Sequence, residues 1–238
     1  MKKVDVVIPC LNEEKVLATS IITLRNFLKD NLKDYKYNIT IADNGSKDST
    51  FEIAKELSKK YEEVRVIHLT KRGRGRALKK AWHMSNSDII SYMDVDLSTD
   101  LKAFPPMIKA IAENNHQLGT GTRLTKNSET KRCFKRDFIS KTYNILVKLI
   151  VNTKFSDAQC GFKAVDKKTF TDLLPHLKDN EWFFDTEMLT IAEKKGYKIY
   201  EEPVLWIEDM DSRVKIINTA VKYIRDLVKL RFRLKKIK

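Results

Sequence analysis

Two carboxylates one residue apart, Asp94 and Asp96, close the apolar run Ile89-Ile90-Ser91-Tyr92-Met93. Side chains alternate along a strand, so Asp94 and Asp96 can point one way while Val95 turns back to the core. Two hard oxygen ligands on one side make half a site for Mg²⁺ or Mn²⁺, completed by phosphate oxygens of a substrate. The plainer alternative is an Asp-rich turn after a strand, and D-x-D by itself does not decide between them. A basic stretch, Lys71-Arg72-Gly73-Arg74-Gly75-Arg76, precedes a helical pattern. Free N–H groups at a helix start, together with basic side chains, can meet phosphate. Gly-Lys-Ser/Thr is absent, so this is not a Walker loop. It competes with an RG-type nucleic-acid patch or a solvated basic turn. Asp43, followed by Asn44-Gly45-Ser46, can accept hydrogen bonds from a base edge or ribose hydroxyls, or serve as an Asx-turn. Asp185 and Glu187 open a further helix. Negative charge is favoured there on structural grounds alone, and the functional alternative is a carboxylate set at the mouth of a site.

The elements that must position these groups follow from periodicity. Residues 3–8, 37–42, 64–69 and 89–93 read as strands, separated by helical patterns over 14–28, 49–60 and 77–84. This alternation is the βαβ rhythm of a parallel sheet covered on both faces. Asn12-Glu13, Asp43, the Gly73–Gly75 loop and Asp94/Asp96 all follow strands, so they gather along one sheet edge, where ligands of open α/β sheets bind. A strand over 118–123 then ends on Arg123, and 124–135 reads as a polar, basic loop. An apolar helix is expected over 138–151, and residues 157–163 turn into a short strand. The helix opening at 181–187 is followed by a strand over 197–206, placed at a sheet edge by Pro203. From Arg213 onward an apolar stripe (Ile216, Ile217, Ala220, Val221, Ile224, Leu227, Val228, Leu230) runs among Lys and Arg residues. A basic amphipathic helix of this kind suits an anionic membrane surface or a partner helix, and the plainer alternative is an ordinary terminal helix covering the sheet.

The length of 238 residues fits one large domain or a domain plus an extension, here 1–212 followed by the basic helix of 213–238. The net charge of +14, from 46 Lys and Arg against 32 Asp and Glu, invites nucleic acid, an anionic membrane or a phosphorylated substrate. Cys10, Cys133 and Cys160 are odd in number and lack metal-ligand spacing, which argues for a reducing compartment and against a disulfide framework. Pro9, Asn12 and Glu13 end the first apolar run too early for a secretory signal. No apolar run approaches the ~20 residues of a spanning helix. The expectation is a cytosolic protein, or one peripheral on the cytosolic face of a membrane.

Nine motifs in order resemble the family 2, GT-A fold glycosyltransferases, and more closely the polyprenyl-phosphate (dolichyl-phosphate) hexose synthases. They are IPCLNEE from Ile8, ADNGSxDxT from Ala42, RGRGxA from Arg72, DVD from Asp94, GTR from Gly121, RxxxS from Arg136, DxxCGFK from Asp157, FDxE from Phe184 and DSRV from Asp211. The resemblance covers nearly the whole chain. It implies an α/β, Rossmann-like, mostly parallel sheet flanked by helices, with amphipathic helices at the carboxyl end. It implies an inverting hexosyltransferase that uses a nucleotide sugar and Mg²⁺ or Mn²⁺. On that resemblance Pro9, Asn12, Glu13, Asp43 and Asp94 would hold the nucleoside. Gly73, Arg74, Gly75 and Val95 complete the donor-binding set, and Arg213 would close over the phosphates. Asp96 would bind the metal, with Ser98 at the place where mannosyl-transferring relatives often carry Gln or His. Arg123, Arg136 and Ser140 would receive a lipid phosphate. Asp185 and Glu187 fall where the family places a catalytic carboxylate, with Arg123 shielding the acceptor charge. Asn44 departs from the usual second Asp. WxExxxSR from Trp206 looks more like the glucosyl-transferring branch, which points to UDP-glucose over GDP-mannose. The implied partners are the nucleotide sugar, the polyprenyl phosphate and a membrane surface, with a homodimer or a separate membrane subunit left open. Two alternatives stand beside this reading: a family 2 transferase acting on a glycan or glycolipid hydroxyl, and a basic nucleic-acid-binding protein. The second lacks any RRM, KH or zinc-finger signature.

Overall fold

The computed structural model describes residues 1–131, 134–207 and 216–237, with side chains except at 131, 134–136 and 216–220. The first half alternates strictly: β1 (Lys3–Cys10), α1 (Leu17–Asn31), β2 (Lys36–Asp43), α2 (Thr50–Lys60), β3 (Val64–His68), α3 (Arg74–Met84) and β4 (Ile89–Met93). Then come α4 (Phe104–Ala112), β5 (Leu118–Thr122), β6 (Glu129–Lys131), α5 (Phe134–Val151), β7 (Phe162–Asp166) and α6 (Lys167–Leu173). The last elements are α7 (Phe184–Lys194), β8 (Ile199–Pro203), β9 (Leu205–Ile207) and α8 (Ile216–Leu234). The main sheet has seven strands in the order β3-β2-β1-β4-β7-β5-β8. Only β7 runs antiparallel to its neighbours, β4 and β5.

The sheet is buried on both faces, which is why β1 and β4 read as apolar runs rather than as alternation. On one face α1, α2 and α4 deliver Leu17, Ile21, Leu24, Leu57, Phe104 and Ile111 to a core that also takes Val95. On the other, Leu78 and Trp82 of α3, Val147 of α5, Phe170 of α6, Leu189 of α7 and Leu227 of α8 form the second core. Pro203 does sit on an edge strand, since β8 closes the sheet. Part of the expected loop after Arg123 is instead β6, which pairs in parallel with β9 to form a small second sheet. Cys10 and Cys160 are free and buried, and burial pushes the Cys160 thiol up to about 12. Cys133 lies outside the described residues. No described helix is long and apolar enough to cross a membrane.

Candidate active site

The parallel register sets Cys10 beside Asp43 and Asp43 beside His68, so the ends of β1, β2 and β3 lie in a row. The loops leaving them are tied together. Asn12, in a left-handed conformation at φ 57°, accepts from Lys47 N through its Oδ1 (2.8 Å), while its own N–H donates to Ser46 Oγ (3.0 Å). Glu13 N donates to Thr50 Oγ1 at 2.8 Å. Pro9 lies within β1, paired with Ala42. Asp43 has no exposed side-chain surface: Oδ2 lies 2.6 Å from His68 Nδ1 and Oδ1 accepts from Ser46 N at 3.3 Å.

The turn leaving β4 carries the paired carboxylates. Val95 packs in the core, as the alternation requires, and Asp94 emerges toward α3. The same turn holds Leu97 at φ 52°, a conformation a branched side chain rarely adopts, closed by Leu97 N donating to Asp94 O at 3.1 Å. Asp96 is exposed, and its Oδ1 accepts from Ser98 N at 3.0 Å. The turn is fixed from beyond by β9: Asp100 N donates to Leu205 O and Ile207 N to Ser98 O. A cavity of about 640 Å³, lined by Lys15, Val16, Thr19, Asp96, Ser98 and Ile207 among others, opens beside it.

Arg74 organises the centre. Its guanidinium pairs with Asp94 Oδ1, reaches Asp185 Oδ2 at 3.6 Å, and lies over the rings of Tyr92 (4.9 Å) and Trp182 (4.7 Å). Burial works against its charge, but Asp94 and Asp185 hold its pKa above the ordinary arginine value. Asp185 is buried. It accepts from the Tyr92 hydroxyl at 2.5 Å and faces Lys163 Nζ at 4.0 Å. Burial and the Asp185 charge push the Tyr92 hydroxyl well above its usual range, so it remains a donor. The Asp94 carboxyl is raised by partial desolvation among its neighbours, with Asp96 and Asp185 adding to the effect and Arg74 opposing it, although 41% of the side chain stays exposed. Gly161 lies directly behind it. A Cβ there would come within 1.8 Å of Asp94 Oδ2, so only glycine leaves the carboxylate its place.

The basic glycine loop behaves differently from the expectation. Gly75 N and Arg76 N donate to the carbonyls of Glu181 (3.2 Å) and Asn180 (3.0 Å), and Gly73 N donates to Asn44 Oδ1 (2.8 Å). These N–H groups are therefore occupied by protein and are not open to phosphate. The glycines serve close packing: a Cβ at Gly75 would meet Phe184 Cβ at 2.7 Å, and one at Gly73 would meet Asn180 O at 2.5 Å. Asn44 departs from the usual Asp yet still supplies the acceptor that fixes this loop.

Arg123 is locked. Its Nε and Nη2 meet the two oxygens of the fully buried Asp157 at 2.7 and 3.0 Å, and its own N–H adds a third bond to that carboxylate. Burial alone would raise Asp157, but Arg123 overrides it and holds the carboxyl at about 2. Glu187 does not join Asp185. Two residues apart on a helix is about 200° of rotation, and Glu187 faces the opposite way. There it accepts from Lys178 N and Asp179 N, both at 2.8 Å, and pairs with Arg233 of α8 at 2.6 Å. Ser140 is buried in α5, and its hydroxyl has no partner among the described residues. The Arg136 side chain and all of Arg213 lie outside the described residues. Tyr92, Gly161, Lys163, Asp157 and Trp182 went unassigned in the sequence. Tyr92 could have been found, since it stands two before Asp94 on one strand and so shares its face.

Asp94 and Asp96 supply hard oxygens that suit Mg²⁺ or Mn²⁺. Among the described residues they belong to no cluster of three or more metal-ligating side chains. A cation there would take most of its shell from ligand oxygens and water, which fits the exposed side chain of Asp96.

The chain is 32% identical over 216 residues to the glycosyltransferase AglD of Haloferax volcanii, a match covering 90% of this chain and 35% of that protein. It is 29% identical over 241 residues to a dolichyl-phosphate beta-glucosyltransferase of Dictyostelium discoideum, covering 96% and 74% respectively. Among solved structures, glucosyl-3-phosphoglycerate synthase from Mycobacterium tuberculosis in complex with UDP superposes with a TM-score of 0.71 at 18% identity, covering 100% of this chain and 81% of that one. This likeness identifies the fold as GT-A. The family model for glycosyl transferase family 2 matches residues 5–174. The chain therefore belongs to glycosyl transferase family 2.

Proposed function

We propose that this protein moves a hexose from a nucleotide sugar, UDP-glucose, to a polyprenyl (dolichyl-type) phosphate. The observation that carries the acceptor class is the state of Asp185. A hydroxyl acceptor needs a general base that its proton can reach. Asp185 is instead 3% exposed, with Oδ1 accepting from the Tyr92 hydroxyl and the Arg74 and Lys163 cations beside it. An acceptor that arrives ionised, as a phosphate does, asks only for positioning and charge shielding. Several relatives are dolichyl-phosphate beta-glucosyltransferases, which supports the same acceptor and a glucosyl donor.

In this reading Pro9, Asn12, Glu13 and Asp94 would frame the nucleoside, with the buried Asp43 behind them at the end of β2. Asp94 and Asp96 would hold a divalent cation, with Ser98 beside them. The Mn²⁺ and UDP named for the mycobacterial synthase support that choice. The cation would stabilise the leaving diphosphate as negative charge builds. Arg213 would close over the donor phosphates, and Arg123, Arg136 and Ser140 would receive the acceptor phosphate. Arg123 keeps one edge of its guanidinium for this, the other being bound to Asp157.

The membrane side of the proposal rests on two helices. α5 leaves Phe138, Ile145 and Leu149 exposed, and α8 leaves Val221, Ile224, Val228 and Phe232 exposed. These residues are spaced by three, four and seven, so each helix shows one apolar stripe. Lys141, Lys148, Arg225, Lys229, Arg231 and Lys235 stand exposed among them. We infer a peripheral seat on an anionic, cytosolic membrane face, with 213–238 as the basic helical segment added to a 1–212 transferase domain.

The test is transfer of labelled hexose to short-chain polyprenyl phosphate in detergent. UDP-glucose, GDP-mannose and UDP-N-acetylhexosamines would each be tried with Mn²⁺, Mg²⁺ or EDTA. Expected is a chloroform-soluble product from UDP-glucose that EDTA abolishes. Transfer to a glycan or glycolipid hydroxyl in place of the lipid phosphate would overturn the acceptor assignment.

A further inference from the structure

We propose that His68 is the side chain that reads the nucleobase, that the buried Asp43 acts behind it as a positioning residue, and that the base it suits is uracil. The inference rests on the nucleotide-sugar reading above and deepens it.

Asp43 cannot reach a ligand as it stands. Its side chain is 0% exposed, whereas that of His68 is 37% exposed. Both Asp43 oxygens are engaged, one by Ser46 N and the other by His68 Nδ1 at 2.6 Å. A carboxylate only accepts hydrogen bonds, so Nδ1 carries the proton, and in the neutral ring Nε2 is left as an acceptor. The Phe51 ring, 4.5 Å away and tilted by 38°, fixes the ring plane from a second side. The imidazole is thus set in both tautomer and direction, and Nε2 has no hydrogen-bond partner among the described residues.

Its place in the sheet suits the base end of a nucleotide. His68 closes β3, and β3, β2, β1 and β4 are consecutive neighbours. Three strand spacings of ~4.8 Å separate it from Asp94, about 14 Å. That is on the order of the reach from the base to the outer phosphate of an extended nucleoside diphosphate.

The chemistry of a single acceptor then discriminates. Uracil presents one donor, N3–H, between two carbonyls. Guanine presents two adjacent donors, N1–H and the N2 amino group, an edge that a free carboxylate would satisfy with both oxygens. With Asp43 closed off and one nitrogen in its place, the single donor of uracil is paired, and guanine leaves a donor unpaired.

The test is calorimetric binding of UDP and GDP, each with Mn²⁺, to wild type, His68→Ala, His68→Gln and Asp43→Asn. Wild type is expected to bind UDP the more tightly. His68→Ala should weaken UDP by about tenfold or more and leave GDP little changed. His68→Gln, whose amide oxygen can accept from N3–H, should recover part of the loss. Asp43→Asn can donate to Nδ1, which moves the ring proton to Nε2. UDP affinity should then fall, and ¹⁵N shifts of the ring should report the other tautomer. In kinetics the donor KM should rise while kcat holds. Should His68→Ala lose its circular dichroism spectrum, His68→Gln and Asp43→Asn carry the test. Unchanged UDP affinity in the folded His68 variants overturns the His68 assignment alone. Equal UDP and GDP affinity in wild type overturns the choice of uracil. A wild type that binds neither overturns the nucleotide-sugar reading and this inference with it.

Discussion

Two arginine–carboxylate assemblies stand near the same sheet edge and are built to opposite ends. Arg123 and Asp157 form a closed pair: two parallel bonds, a third from the backbone, and a carboxylate with no exposed side-chain surface. Arg74 is shared between two carboxylates, Asp94 and Asp185, and one of them, Asp94, keeps 41% of its side chain exposed. A bidentate buried pair has one low-energy arrangement, so it anchors the 157–163 turn against the end of β5. A cation between two acids, with aromatic rings on two sides, can shift its pairing from one partner to the other when a ligand arrives. The contrast suggests a division of labour: the closed pair holds the frame, and the open one responds to substrate.

The largest effect should come from the closed pair. Asp157→Ala leaves the Arg123 charge buried without its partner and should cost about 3–5 kcal/mol, read by urea denaturation. A loss below about 1 kcal/mol would erase the distinction. The same pair should be acid-sensitive. The carboxyl is held at about 2, below the ordinary ~3.9, so its contribution of about 2–3 kcal/mol is present above pH ~4 and vanishes as pH falls through 2. Next, Arg74→Ala should lower turnover by about 10²–10³-fold, the scale of a lost electrostatic group. Its unfolding midpoint should drop less than that of Asp157→Ala, because water can reach Asp94. The reverse order would make Arg74 the anchor. Gly161→Ala probes the open site without touching a charge. Displacing Asp94 should weaken Mn²⁺-dependent UDP binding by about 10–100-fold, as lost support for a ligating side chain does. Unaltered affinity would remove Asp94 from the donor site. The smallest effect is expected at Glu187→Gln, about 1–2 kcal/mol of stability with kcat nearly unchanged. A large kcat loss there would return Glu187 to the chemistry.

Much of this frame is written in local pattern. The β1–β4 alternation, the convergence of their ends and the inward turn of Val95 need only periods of two and 3.6 to be read. What stayed hidden depends on partners distant in sequence. Arg123 meets Asp157 across 34 positions, and no spacing rule connects them. Gly73 and Gly75 carry the composition of a phosphate loop, yet the atoms that demand glycine belong to Asn180 and Phe184. Asp185 and Glu187 look like one pair in sequence because they are close along the chain. Helical rotation separates them, and only the arrival of α8 shows what Glu187 faces. The short β6 and β9 are defined by each other, so neither stands out alone.

The place of β7 bears on how such a chain is made. It lies between β4 and β5 in the sheet but follows both in the sequence. As the chain leaves the ribosome, β1 to β4 can pair in the order they emerge. β5 has no seat beside them until residues 162–166 fill the gap. Gly161, the backing of Asp94, arrives with that same strand. A nascent chain therefore carries Asp94 without its backing, and the carboxylate takes its final place in the step that zips the two halves of the sheet together.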